Sequence, residues 1–124
     1  MSGRFKNPVI YPNGVLKVEG PFITDGEVLG EVLVRFLIIP DGKTKPVFGT
    51  ATVTGLSTTG RGTSKITTGT FREMVHGSDL EAGTKVRGVG ISLAVKKARR
   101  PDPPAIDTFT WCVDLVVVRG RGNP

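Results

Sequence analysis

The chain is poor in the residues that most chemistry requires. Cys112 is its one cysteine, which excludes an intrachain disulfide and a cysteine-based metal site. His76 is its one histidine, so no second imidazole is available to a transition metal. Aromatics are few, six Phe with one Trp and one Tyr, a thin supply for a platform that stacks sugar rings. Long apolar runs are missing as well. The stretch from Val113 to Val118 is interrupted by Asp114 and falls far short of the roughly 20 residues of a membrane-spanning helix, so no membrane insertion is expected. The opening residues, MSGRFKNPVIYPNG, hold neither an apolar core nor a small-residue cleavage site. Cytoplasmic synthesis without a signal peptide is the expectation.

Acidic residues are in the minority. Eleven Asp and Glu face 17 Lys and Arg, a net charge of +6 that favours a polyanionic partner, an acidic protein or a nucleic acid. Most of the basic residues are scattered, and only Lys96, Lys97, Arg99 and Arg100 form a cluster, followed by Pro101-Asp102-Pro103-Pro104. These four, with Arg119 and Arg121 near the end of the chain, are the candidate residues for binding an anion or partner. The competing reading is a solvated hairpin end whose lysines guard a strand edge. Sequence-independent nucleic-acid binders interleave aromatics with their basic residues so that bases can stack, and none lies between Arg72 and Phe109.

Glycine and proline are plentiful, 17 and 9, and they fall as punctuation between short apolar stretches. Asn13-Gly14 separates Val9-Ile10-Tyr11 from Val15 to Val18, a strong hairpin signal because both turn residues tolerate positive φ. Residues 27–39 read as a strand with Val32, Val34, Phe36 and Ile38 on one face and Leu33, Leu37 and Ile39 on the other, Arg35 being the exception. Residues 46–55 alternate Val47, Gly49, Ala51 and Val53 against Phe48 and threonines, and 57–63 read as a loop. In 65–75, Phe71 and Val75 are expected to point inward. Two further strands, 84–95 and 108–119, place Val89, Ile91, Leu93 and Val95 on one face of the first and Phe109, Trp111, Val113, Leu115 and Val117 on one face of the second. The best helical window, 74–82, is broken by Gly77. The pattern predicts an all-β single domain over 1–124, an antiparallel β-sandwich of immunoglobulin-like or jelly-roll-like kind with about seven to eight short strands. The immunoglobulin Cys…Trp…Cys spacing is absent.

No constellation for catalysis is present. Cys112 sits in the strand-like Thr110-Trp111-Cys112-Val113-Asp114 and reads as a buried, inert thiol; a nucleophile would need a base, and His76 lies in a turn-like segment. Gly60 to Ser64 and Arg119 to Gly122 read as connectors, since a phosphate loop runs its glycines into Lys-Ser/Thr at the start of a helix. Gly88-Val89-Gly90 signals close backbone approach in a strand. The carboxylate pairs Asp25 and Glu27, Asp79 and Glu81, and Asp102 and Asp107 lack the density of a calcium loop. Asp114, among apolar neighbours, is expected to pair with Arg35 across sheets. These readings predict no enzyme activity, no cofactor and no metal. They point to a structural or assembly protein acting through its surfaces, a homo-oligomer or part of a larger protein assembly. A virion component, in capsid decoration or a tail, is one concrete version. The alternative is a basic polyanion- or nucleic-acid-binding module.

Overall fold

The computed structural model describes all residues except 1, 43–44, 78–79 and 98–104, and the described residues form nine strands. They are β1 (Ser2–Gly3), β2 (Val9–Ile10), β3 (Val15–Asp25), β4 (Val28–Pro40), β5 (Val47–Thr59), β6 (Ile66–His76), β7 (Lys85–Lys96), β8 (Ala105–Val116) and β9 (Val118–Arg119). Among the described residues the one helical piece is a 3-10 turn, Gly62–Ser64. The all-β class expected from the alternation is the class adopted. Where the sequence suggested a sandwich of separate antiparallel sheets, hydrogen bonds join the strands into a single sheet in the order β8-β7-β4-β5-β6-β3-β2-β9, with β1 beside β3. The sheet is mixed because β2 and β9 run parallel.

β5 makes the continuity. Its first half, Leu33↔Thr52 to Ile38↔Val47, pairs with β4, and its second half, Val53↔Phe71 to Thr59↔Ile66, pairs with β6. A register shift between Thr54 and Ser57, with Gly55 at φ +65°, bends the strand between the two ladders. Strands that pass from one ladder to another in this way turn the corners of β structures. The bend curls the sheet tightly. Phe71 on β6 and Trp111 on β8 are four strand spacings apart in the order, roughly 19 Å in a flat sheet, yet their ring centroids are 6.3 Å apart. Phe5, from the segment after β1, fills the space between them at 5.7 Å from Phe71 and 5.5 Å from Trp111.

The inward faces follow from these contacts. On β4 the expected set is buried, Val32, Val34 and Ile38 fully and Phe36 nearly so, while Leu33, Leu37 and Ile39 are half-buried and Arg35 is exposed. Ala51, Val53 and Phe71 are buried as the alternation predicts, and Val75 packs against the same core. β7 reverses the natural expectation. After Val86 its inward face is the small one, Gly88, Gly90, Ser92 and Ala94, and Ile91 and Leu93 are exposed. The cause is the neighbour. A Cβ at Gly90 would collide with the Trp111 indole, and one at Gly88 would lie 2.8 Å from Phe5 and 2.9 Å from Leu115.

The first hairpin forms at Asn13-Gly14, with Val9↔Lys17 and Ile10↔Leu16 paired and the Gly14 N–H bonded to the Tyr11 carbonyl. β3 then runs on past Val18 to Asp25, beyond its sequence-derived end, paired with β6 throughout. Pro21 is tolerated there because its carbonyl faces the N-terminal segment, accepting the Arg4 N–H at 3.2 Å. The donor it lacks therefore falls on that side and the β6 ladder loses nothing. Residues 57–59, expected in a loop, belong to β5 and pair with 66–68. On the hairpin surface Lys17 lies 5.9 Å from the Tyr11 ring centre and 3.5 Å from a Glu19 oxygen. The Tyr11 side chain and then the Glu19 charge favour the ammonium and raise its pKa.

Two outcomes are expected. Gly90→Ala forces Trp111 to move and lowers unfolding free energy by about 1–3 kcal/mol, read as a lower urea midpoint at constant m. A raised lysine pKa stabilises the fold below the ordinary value of 10.5 and is lost as pH climbs through the raised value. The stability difference between the parent and Lys17→Met is therefore constant below pH 10 and shrinks above it in pH-resolved denaturation.

Candidate functional site

The basic residues singled out in the sequence fall at two separate places. Lys96 ends β7, half-buried, with its ammonium 3.1 Å from Asp107 on β8, and Lys97 is exposed with Glu27 4.0 Å away. The Lys97 N–H also donates to the Glu27 carbonyl at 3.0 Å. Both lysines are therefore partly neutralised by carboxylates that the sequence keeps far from them. Arg99 and Arg100 lie outside the described residues, as do the prolines that follow. The flanking strands behave as a hairpin should, with Val95↔Ile106 and Lys96↔Ala105 as the last pairs. Arg119, in β9, and Arg121 are exposed. They follow the far end of β8, whose 12 residues span roughly 37 Å. Among the described residues, the fold does not bring Lys96 and Lys97 together with Arg119 and Arg121.

Two other sequence-derived placements are corrected. Cys112 is exposed, not buried, because Trp111 takes the inward position and the alternation of β8 turns the thiol outward. Asp114 pairs with Arg87 at 3.4 Å, not with Arg35, since the β7–β8 register sets Arg87 directly opposite it. Arg35 has Thr50 and Ile91 as its cross-strand neighbours. An open groove of about 830 Å³ at this end of the sheet carries Asp41, Lys85, Arg87 and Asp114, charges of both signs. Among the described residues no three His, Cys, Asp or Glu side chains gather as a metal would require. No helix among them is long and apolar enough to cross a membrane.

What the sequence reasoning missed is the outward face of β8, β7, β4 and β5. Cross-strand register builds it row by row. Leu93 and Leu33 are neighbours, Val89 and Leu37 are neighbours, and Leu37 continues to Phe48. Ile91 lies between Arg35 and Thr110, and Val95 lies beside Ile106. Phe48 is 77% exposed and Ile106 66% exposed, with Ile91 and Leu93 each at 41%. Large apolar side chains thus concentrate on the outside of β4 and β7, extended by Phe48 of β5 and Ile106 of β8, with Arg35, Arg87 and the threonines of β5 and β8 among them. The outward positions of β3 and β6 are more polar, carrying Lys17, Glu19, Asp25, Thr68, Thr70, Arg72 and His76 beside the apolar Val15, Pro21, Ile23, Ile66 and Met74. The signal was in the sequence: in residues 88–95 small and large side chains alternate, and either set could have faced the core.

No known protein family matches the chain, and no curated protein is similar to it. The arrangement supplies apolar contact area, and it sets His76 at the end of β6 opposite Val15 of β3 while Cys112 faces outward from β8. Cys112 in the native protein at low micromolar concentration should react with a thiol reagent at one equivalent per chain without denaturant. A thiol that titrates only after unfolding contradicts this placement.

Proposed function

We propose that the chain is a non-enzymatic assembly subunit acting through its surfaces, in a homo-oligomer or a larger protein assembly. The observation that carries the proposal is the apolar outward face of β8, β7, β4 and β5, with Phe48 and Ile106 its most exposed members. Soluble monomers seldom leave contiguous apolar patches larger than a few hundred Å² exposed. The face is the outer, convex side of a curled sheet and suits another protein surface better than a small ligand, whose sites are concave. Capsid decoration or the tail of a virion is one setting in which such a subunit serves.

Sedimentation velocity tests it. Between about 1 and 100 µM the chain should sediment above its 13.2 kDa monomer mass, at low and high salt alike, because burial of apolar surface is not screened by ions. Phe48→Ser combined with Leu93→Ser should return a monomer with unchanged strand content. A strict monomer across that range in both salts removes the proposal.

A second reading rests on the exposed Lys97, Arg119 and Arg121, which suit a polyanion. Binding of that kind falls steeply between 50 and 200 mM salt. Two groups so far apart would contribute additively in an anisotropy titration with DNA or heparin. No binding near 50 mM salt rules it out.

A further inference from the structure

The part of the sheet away from the apolar face gathers cations that the sequence holds apart. Residues 4–6 extend the register of β1 on β3, because the Arg4 N–H donates to the Pro21 carbonyl at 3.2 Å and the Lys6 N–H to the Glu19 carbonyl at 2.9 Å. β3 in turn sets Glu19 opposite Arg72 and Pro21 opposite Thr70 on β6, and β6 sets Thr70 opposite Thr54 on β5. Two rows result. One reads Lys6, Glu19, Arg72, and the next reads Arg4, Pro21, Thr70, Thr54. Alternation turns these side chains outward, since Phe5, Gly20 and Phe71 between them are buried.

Lys6 and Arg72 stand two strand spacings apart, roughly 10 Å between Cα atoms, with Glu19 between them. That carboxylate is already engaged by Lys17, 3.5 Å away on the same strand. Arg4, Lys6 and Arg72 make no ion pair among the described residues. Four cations, Arg4, Lys6, Lys17 and Arg72, thus stand against the one carboxylate of Glu19, which leaves three positive charges. A shallow groove of about 370 Å³ opens among them, lined by Lys6, Glu19, Pro21, Thr54, Thr70 and Arg72.

We propose that this groove is a binding site for a phosphoryl group. The inference goes beyond the assembly reading and does not depend on the apolar face. The chemistry of the walls selects the ligand. Lys6 brings a point charge from one side, the Arg72 guanidinium brings a planar fork of donors from the other, and Thr70 adds a hydroxyl. A carboxylate, with two oxygens in one plane, is satisfied by the fork alone. A tetrahedral phosphoryl group offers an oxygen to each wall, and its charge supplies the counter-ion that the two cations lack within the chain.

The groove holds the phosphoryl group and little else. Its volume lies near the lower end of the roughly 300–1,000 Å³ of ligand sites, and Phe71, the aromatic that lines it, is 1% exposed and offers no ring for a base to stack on. Recognition therefore stops at the phosphoryl oxygens. A small phosphate and one link of a nucleic-acid backbone present the same chemistry to it.

Amide shifts in NMR spectra of the full chain test the site, with inorganic phosphate as the first probe, a short thymidine oligonucleotide as the second and acetate at matched ionic strength as the control. Phosphate should move the amides of Lys6, Glu19, Thr70 and Arg72 along saturating curves, and acetate should not. Lys6→Gln combined with Arg72→Gln, both at exposed positions, should raise the dissociation constant about tenfold with strand content unchanged. Arg72→Lys keeps the charge but loses the fork, and should weaken phosphate several-fold. Lys97→Gln with Arg121→Gln should leave phosphate binding as it is, which separates this groove from the polyanion reading above. Saturation by phosphate alone assigns the site to small phosphates. Saturation by both probes, weakened alike in the double variant, assigns it to a phosphodiester backbone. Equal shifts with acetate, shifts that never saturate, or a folded double variant that binds as its parent does overturn the proposal.

Discussion

The contact of Phe71 with Trp111, closed by Phe5, governs the rest of the molecule. Two rings from strands far apart in the sheet meet at 6.3 Å only if the sheet curls, and the curl encloses the core formed by β3, β4, β5 and β6. The indole needs room. It takes that room from β7, whose inward positions carry nothing larger than serine across Gly88, Gly90, Ser92 and Ala94. The large residues between them have only the outside left to occupy. The core and the apolar surface are thus two results of one packing constraint.

The same contact explains why the N-terminal segment matters. Residues 2–6 run along β3, with the Arg4 and Lys6 N–H groups bonded to Pro21 and Glu19, and they deliver Phe5 between the two rings. Gly20 lets the backbone of Arg4 pass so near that a Cβ would overlap its carbonyl, and Gly3 sits against the Trp111 ring. Indole burial carries a cost, because the Trp111 Nε1 has no hydrogen-bond partner among the described groups. Packing on three sides offsets it.

Much of the fold was legible because alternation and turn chemistry are local. The hairpin at Asn13-Gly14, the buried set on β4 and the inward Phe71 all follow from a period of two and a glycine at positive φ. What was not legible depends on partners distant in sequence. A strand's alternation defines two faces without saying which is inside, and the usual preference for burying the larger residues fails on β7 because a tryptophan on the next strand claims the space. Cys112 faces outward for the same reason. Arg87, not Arg35, meets Asp114 because register, which no local pattern reveals, sets the partner. The cluster at Lys96 and Lys97 was plain in the sequence, whereas its neutralisation by Asp107 and Glu27 appears only once β7, β8 and the start of β4 are side by side.

The parallel pair of β2 and β9 ties Val9 to Val118 and Ile10 to Arg119, and the Val118 and Gly120 N–H groups donate to Pro8 and Ile10. Synthesis runs from one end to the other, so β2 waits, hydrogen-bonded on one side only, until Val118 and Arg119 have been made. Closing so long a loop sets back the payoff of contact formation, and β proteins dominated by such distant pairings fold in milliseconds to seconds. While it waits, the nascent chain exposes one more unpaired strand beside an already apolar sheet, which makes the interval before Arg119 arrives the time of greatest exposure to wrong partners.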